Sequence, residues 1–200
     1  EDRAADVAGL IEALKLEKPP VGGHSMGAET AVMVAGMYPK LVGSLILEDP
    51  PFWSDSRKET PEARVQRREH FRKQITEWRD MPVDEIIQIG RRMHPNWHEA
   101  DLFQWAKSKK QVNTVAFDGI ETDRPSWREY AKHVKCPVLL ISGDPLLGGI
   151  VTDEVAAELK KLWKKPEMVR LDHAGHNVRR DQFEPYYEVV KKFLRKNTDW

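Results

Sequence analysis

Gly23-His24-Ser25-Met26-Gly27 follows a short apolar stretch led by Pro19-Pro20 and opens a run with helical spacing. A Gly-x-Ser-x-Gly pentapeptide at a strand-to-helix junction suits a serine on a sharp turn, its hydroxyl lifted clear of a sheet. Small residues flank such a serine because the backbone there is strained and crowded. The plainer alternative is a glycine-rich turn in which Ser25 caps the following helix. A serine used as a nucleophile needs a base, and Ala174-Gly175-His176-Asn177 near the C-terminus offers one.

Working outward, Ala4, Val7, Leu10, Ile11 and Leu14 recur at helical spacing and predict an amphipathic helix over 2–15. Val21 to His24 reads as a short strand, 26–37 as a helix of small residues, and 41–48 as a buried strand closed by Pro50-Pro51. Further on, 137–143 (PVLLISG) is a buried strand, 152–162 a helix, 168–171 a strand and 181–196 an amphipathic helix. Strands alternating with helices imply right-handed crossovers and a parallel sheet, so the fold class is α/β.

The composition changes between residues 52 and 134. Five of the seven tryptophans lie there, with Arg/Glu/Gln-rich helical stretches at 58–79, 83–93 and 98–110 punctuated by Pro61, Pro82, Pro95 and Pro125. This segment reads as a helical insert, with 1–51 and 135–200 forming the α/β core. Trp78, Trp97, Trp105 and Trp127 are expected to fill the insert's own core, as are Met81 and Met93.

The 200 residues are 40 % hydrophobic and 32 % charged, with 32 Lys and Arg balancing 32 Asp and Glu. A neutral chain without a basic tail has no net field to draw nucleic acid or anionic lipid, so neither is an expected partner. The single cysteine, Cys136, excludes an internal disulfide framework and a cysteine-based zinc cluster, and points to a reducing, cytoplasmic setting. No apolar run approaches the roughly 20 residues of a membrane span, and no signal peptide is visible. No metal or cofactor is expected.

His176 follows the last strand and precedes the last helix. In a parallel sheet that puts it at the same C-terminal edge as Ser25, where ligand chemistry gathers. His173 lies nearer the strand and lacks the adjacent glycine.

The succession of strand, Gly-His-Ser-Met-Gly, helix, a strand ending in Asp49-Pro50-Pro51, a helical insert, Pro-Val-Leu-Leu-Ile-Ser-Gly-Asp and Ala-Gly-His resembles the α/β-hydrolase superfamily over nearly the whole chain. It looks most like the capped esterases and carbon–carbon hydrolase-like members. The resemblance implies a Ser-His-Asp triad with Ser25 as nucleophile, His176 as general base and the Met26 N–H as one oxyanion donor, with His24 and Trp53 lining the pocket. It also implies that the insert is a lid over the nucleophile.

The chain departs from the family in two ways. The usual position of the acid is Leu146, which leaves Asp144, on the same strand end, and Asp49, at the end of the preceding strand, as alternatives. Only 24 residues precede Ser25, where the family places several strands and the loop donating a second oxyanion N–H. Those strands are expected from a longer protein, a companion N-terminal fragment or a homodimer. The implied function is a cofactor-free serine hydrolase of small-molecule carboxylic esters, working through an acyl-enzyme. The alternative is a catalytically impaired hydrolase-fold module that binds or interacts with the help of a partner segment.

Overall fold

The computed structural model describes residues 1–53, 60–115 and 126–198. Pro125 and the first two residues of the helix expected from 58 lie outside them. In chain order the elements are α1 (Asp2–Ala13), β1 (Pro20–His24), α2 (Met26–Met37), β2 (Ser44–Glu48), α3 (Pro61–Asp80), α4 (Val83–Met93), α5 (Glu99–Gln111), α6 (Trp127–Ala131), β3 (Val138–Ser142), α7 (Asp153–Leu162), β4 (Glu167–Arg170), α8 (Val178–Asp181) and α9 (Phe183–Asn197). Two compact units divide the chain. One joins Glu1–Ser56 to Pro125–Trp200, and the other is Arg57–Arg124.

The first unit is built on a four-stranded parallel sheet in the order β1-β2-β3-β4. β3 is buried at every position because both of its faces are covered, which explains its unbroken Val-Leu-Leu-Ile. Successive side chains of a strand point to opposite faces. Leu45, Leu47, Val138 and Leu140 therefore pack on one side with Ala4 and Ile11 of α1, the small residues of α2, and Val155 and Leu159 of α7. Leu139 and Ile141 pack on the other side with Val178 of α8 and Phe193 of α9, joined by Ile46 and Val169. His24 and Glu48 are register partners at the end of the β1–β2 ladder. By the same alternation Glu48 belongs to the face of Ile46, the side of α8 and α9.

The second unit packs α3, α4 and α5 around Ile75, Trp78, Ile86, Trp97, Leu102, Trp105 and Ala106. Trp78, Trp97 and Trp105 meet edge to face, with Trp105 centroids 5.5 Å from Trp78 and 6.2 Å from Trp97. Gly90 is small because an added Cβ would lie 2.9 Å from the Trp105 ring. Met93, expected inside, is 56 % exposed at the end of α4. Trp127 also departs from expectation. It stacks on Phe52, with centroids 4.7 Å apart, and donates its indole N–H to the Trp53 carbonyl at 3.1 Å, all within the first unit. Composition groups it with the other tryptophans, but the short helix α6 returns the chain to the first core before β3.

Crowding explains only one of the two glycines of the pentapeptide. An added Cβ on Gly23 would lie 2.3 Å from the Gly27 carbonyl carbon, whereas one on Gly27 would meet nothing within 4 Å. Gly23→Ala is therefore expected to destabilise the chain by about 3 kcal/mol or more through backbone overpacking. Gly27→Ala, in the first turn of α2, should be neutral or stabilising by up to ~1 kcal/mol. Urea unfolding of the two variants beside the unchanged chain checks the contrast.

Candidate active site

The C-terminal rim of the sheet is stitched by backbone hydrogen bonds that continue past the strands. Ser25 N donates to Glu48 O (2.9 Å), Asp49 N to Ile141 O (2.8 Å), Leu171 N to Ser142 O (2.9 Å) and Asp144 N to Ala174 O (2.7 Å). Close approach requires glycine at two of these joints. A Cβ on Gly143 would lie 2.0 Å from the Gly175 carbonyl oxygen, and one on Gly175 would lie 2.4 Å from that of Leu147. The loop carrying His176 is thereby pressed against the end of β3.

Ser25 is the single residue between β1 and α2 and has φ 54°, ψ −123°. A side-chain-bearing residue in so sparsely populated a region costs about 1–3 kcal/mol and persists only where its surroundings fix it. Its side chain makes no capping hydrogen bond to α2. The helix-cap alternative therefore does not describe Ser25. The next residue, Met26, opens α2, and its N–H is one of the four that an α-helix leaves without an intrahelical acceptor.

Asp49 follows β2 directly, has φ 40° and is fully buried. Three donors converge on its carboxylate. Ile150 N lies 2.9 Å from Oδ2, Val151 N 3.2 Å from Oδ1, and His176 Nδ1 2.7 Å from Oδ2. Carboxylate oxygens accept, so Nδ1 of His176 carries the hydrogen and Nε2 of the neutral ring keeps its lone pair. The other expected acid, Asp144, is engaged elsewhere. Its Oδ1 accepts from Leu146 N at 2.8 Å, capping the turn of 3₁₀ helix at Pro145–Leu147. Leu146 itself is 93 % exposed. Of the two alternatives, the structure brings Asp49 to the imidazole and leaves Asp144 as a local cap.

His24, expected in the pocket, donates its Nε2–H to the backbone carbonyl of His176 at 2.8 Å, with ring centroids 4.5 Å apart. Burial pushes its pKa below the ordinary histidine value, against a smaller upward pull from the Glu48 carboxylate. Glu48 is 2 % exposed; its Oε1 accepts from Arg179 N at 2.8 Å, and Oε2 lies 3.7 Å from Arg179 Nη1. Neither Glu48 nor Arg179 stands out by motif. The available signal is a carboxylate closing a run of Leu and Ile. Trp53 is 37 % exposed. An open surface cavity of about 400 Å³ on α9, lined by Tyr187, Val190, Lys191, Leu194, Arg195 and Thr198, includes none of these residues.

A profile for the family described as alpha/beta hydrolase fold matches residues 1–179. The chain is 26 % identical over 196 residues to N-formylmaleamate deformylase of Pseudomonas putida, covering 96 % of this chain and 69 % of the deformylase. A crystal structure of E-2-(acetamidomethylene)succinate hydrolase superposes with a TM-score of 0.72 at 21 % identity, covering 96 % of this chain and 72 % of that one. An esterase from Exiguobacterium antarcticum gives a TM-score of 0.72 at 19 % identity with the same coverage. The two structural likenesses speak for the fold. Among the described residues, no helix is long and apolar enough to cross a membrane.

Two measurements test this geometry without reference to activity. Asp49→Ala strips two backbone N–H groups and an imidazole of their acceptor and is expected to cost several kcal/mol, at about 1–3 kcal/mol for each buried donor left unsatisfied, whereas Asp144→Ala removes a cap worth about 1 kcal/mol. Denaturant melts of both variants should separate them clearly. Because burial lowers the pKa of His24 in the folded chain, the unfolded state binds more protons near the ordinary histidine value. Stability should therefore fall as pH drops through that range, and fall less in His24→Gln.

Proposed function

We propose a function from one premise: the chain belongs to the alpha/beta hydrolase fold family. It is a serine hydrolase that cleaves carboxylic ester-type substrates through an acyl-enzyme. The observation that carries this reading is the 2.7 Å hydrogen bond from His176 Nδ1 to the buried Asp49 carboxylate. That bond selects the tautomer in which Nε2 is the free base, the arrangement a general base needs.

In the proposed reaction Ser25 Oγ attacks the acyl carbon while His176 Nε2 takes its proton. Asp49 holds the ring and stabilises the imidazolium without accepting the proton itself. The Met26 N–H, at the start of α2, points its donor at the developing oxyanion, where one such bond is worth about 3–4 kcal/mol of barrier. His176 then protonates the leaving alcohol, and a water deprotonated by the same nitrogen releases the acid. A relative called a deformylase is consistent with acyl transfer to water.

Hydrolysis of p-nitrophenyl butyrate is the direct test. Ser25→Ala should abolish it and also abolish labelling by a serine-directed phosphonate. Asp49→Asn should lower kcat about 10³–10⁴-fold by allowing the wrong tautomer, while Asp144→Asn stays within about threefold, as a surface cap should. Turnover that survives Ser25→Ala would end this reading.

A further inference from the structure

The last rung of the β1–β2 ladder reaches the segment that carries the base at two points. His24 and Glu48 face each other in register. His24 Nε2–H holds the carbonyl of His176 at 2.8 Å, and Glu48 Oε1 holds the N–H of Arg179, three residues on, at 2.8 Å. The residues that follow them in sequence are Ser25 and Asp49. Each strand end thus supplies one side chain to the reacting set and, one position earlier, one side chain that grips the backbone around His176.

We propose that His24 and Glu48 are positioning residues for His176, a paired brace that fixes the loop from the α8/α9 side of the sheet. This rests on the Ser25–His176–Asp49 reading above. The Asp49 bond sets the rotation of the imidazole about its own bonds, and the Asp144 N–Ala174 O bond holds the loop two residues before it. The brace holds the backbone at His176 itself and three residues beyond. A peptide carbonyl demands a donor and a peptide N–H an acceptor, and the two side chains provide one of each. Burial of Glu48 at 2 % exposure is costly for a carboxylate unless its bonds are kept. The polar pair therefore keeps the loop in one place, where an apolar pair would let it slide.

Charged and titratable groups around His24 come from each element packed on it: Glu48 of β2, His176 of the loop after β4, and Arg179 of α8. Burial, with the same carboxylate adding to it, pushes the pKa of Tyr186 of α9 up to about 12. His24 is thus committed to the loop backbone through Nε2, and its role differs from pocket lining.

The test compares His24→Leu and Glu48→Leu with His24→Gln and Glu48→Gln. Glutamine keeps a donor near the position of the histidine Nε2, and keeps the acceptor of Glu48. The deciding readout is the low-field proton resonance of His176 Nδ1–H, assigned by its loss in His176→Gln. Kinetics with p-nitrophenyl butyrate run in parallel. The glutamine variants should keep the resonance sharp and kcat within about threefold. The folded leucine variants should broaden or lose the resonance and drop kcat about 10–100-fold with KM little changed, the scale expected of misplacing a reacting group by about 1 Å.

If a leucine variant does not fold, His24→Asn and Glu48→Asp, each a bond too short, replace it with the same expectation. A sharp, unshifted resonance in the leucine or shortened variants overturns the proposal. Failure of the serine-hydrolase reading looks different. The unchanged chain then shows no Ser25-dependent turnover, and the resonance alone decides whether the brace exists.

Discussion

A carboxylate wholly removed from water at Asp49 is tolerable only because three N–H groups meet it, and those groups come from two separate loops. Ile150 and Val151 belong to the connection between β3 and α7, and His176 to the connection after β4. The charge therefore ties the end of β2 to segments that enter the fold some hundred residues later. An unpaired buried charge costs several kcal/mol, so these bonds are a condition of folding as much as of chemistry. Asp49 also carries a positive φ, a backbone conformation that persists only where its surroundings fix it.

Alternation along a strand explains how so many groups share one rim without crowding. Neighbouring residues of a strand face opposite ways. Glu48 sits on the face of Ile46 and meets α8, while Asp49, one position later, turns back over the sheet edge to the 150–151 backbone and the imidazole. At β1, His24 grips the His176 carbonyl and Ser25 bends into α2. Gly143 and Gly175 complete the arrangement by having no side chains where two backbones touch.

The fold is legible from the sequence because its signals are local. Continuous apolar runs at 45–47 and 138–141, a glycine-flanked turn and the small residues of α2 each announce their element without reference to anything distant. The pairing of His176 with Asp49 is legible only as one of two options. Asp144 lies beside a proline and a glycine in a stretch that reads as a site, yet its carboxylate satisfies an amide two residues away. The partners of Asp49 stand 101, 102 and 127 positions off, and nothing in a local window reports them. The roles of Glu48 and His24 are obscured for the same reason. Trp127 is misplaced because composition reports where tryptophans cluster along the chain, whereas it and its stacking partner Phe52 both belong to the first unit. The four-residue helix α8 is too short to show a period.

Charge at this rim must change during the proposed reaction, and the surroundings of His176 suit that change. The ring turns from neutral to cationic when it takes the serine proton, with the Asp49 carboxylate at 2.7 Å. Its other close neighbour is a second histidine whose ring centroid lies at 4.5 Å. Were His24 also a cation, two unit charges at that separation would repel by about 4 kcal/mol at an effective dielectric near 20, enough to cancel much of what an acid–base pair contributes. Burial removes the difficulty by disfavouring the charged form of His24, although Glu48 pulls the other way. The Arg179 guanidinium, 3.7 Å from Glu48 Oε2, acts against that pull. A His24 whose charged form burial disfavours thus suits a neighbouring imidazole that takes the serine proton in the proposed reaction.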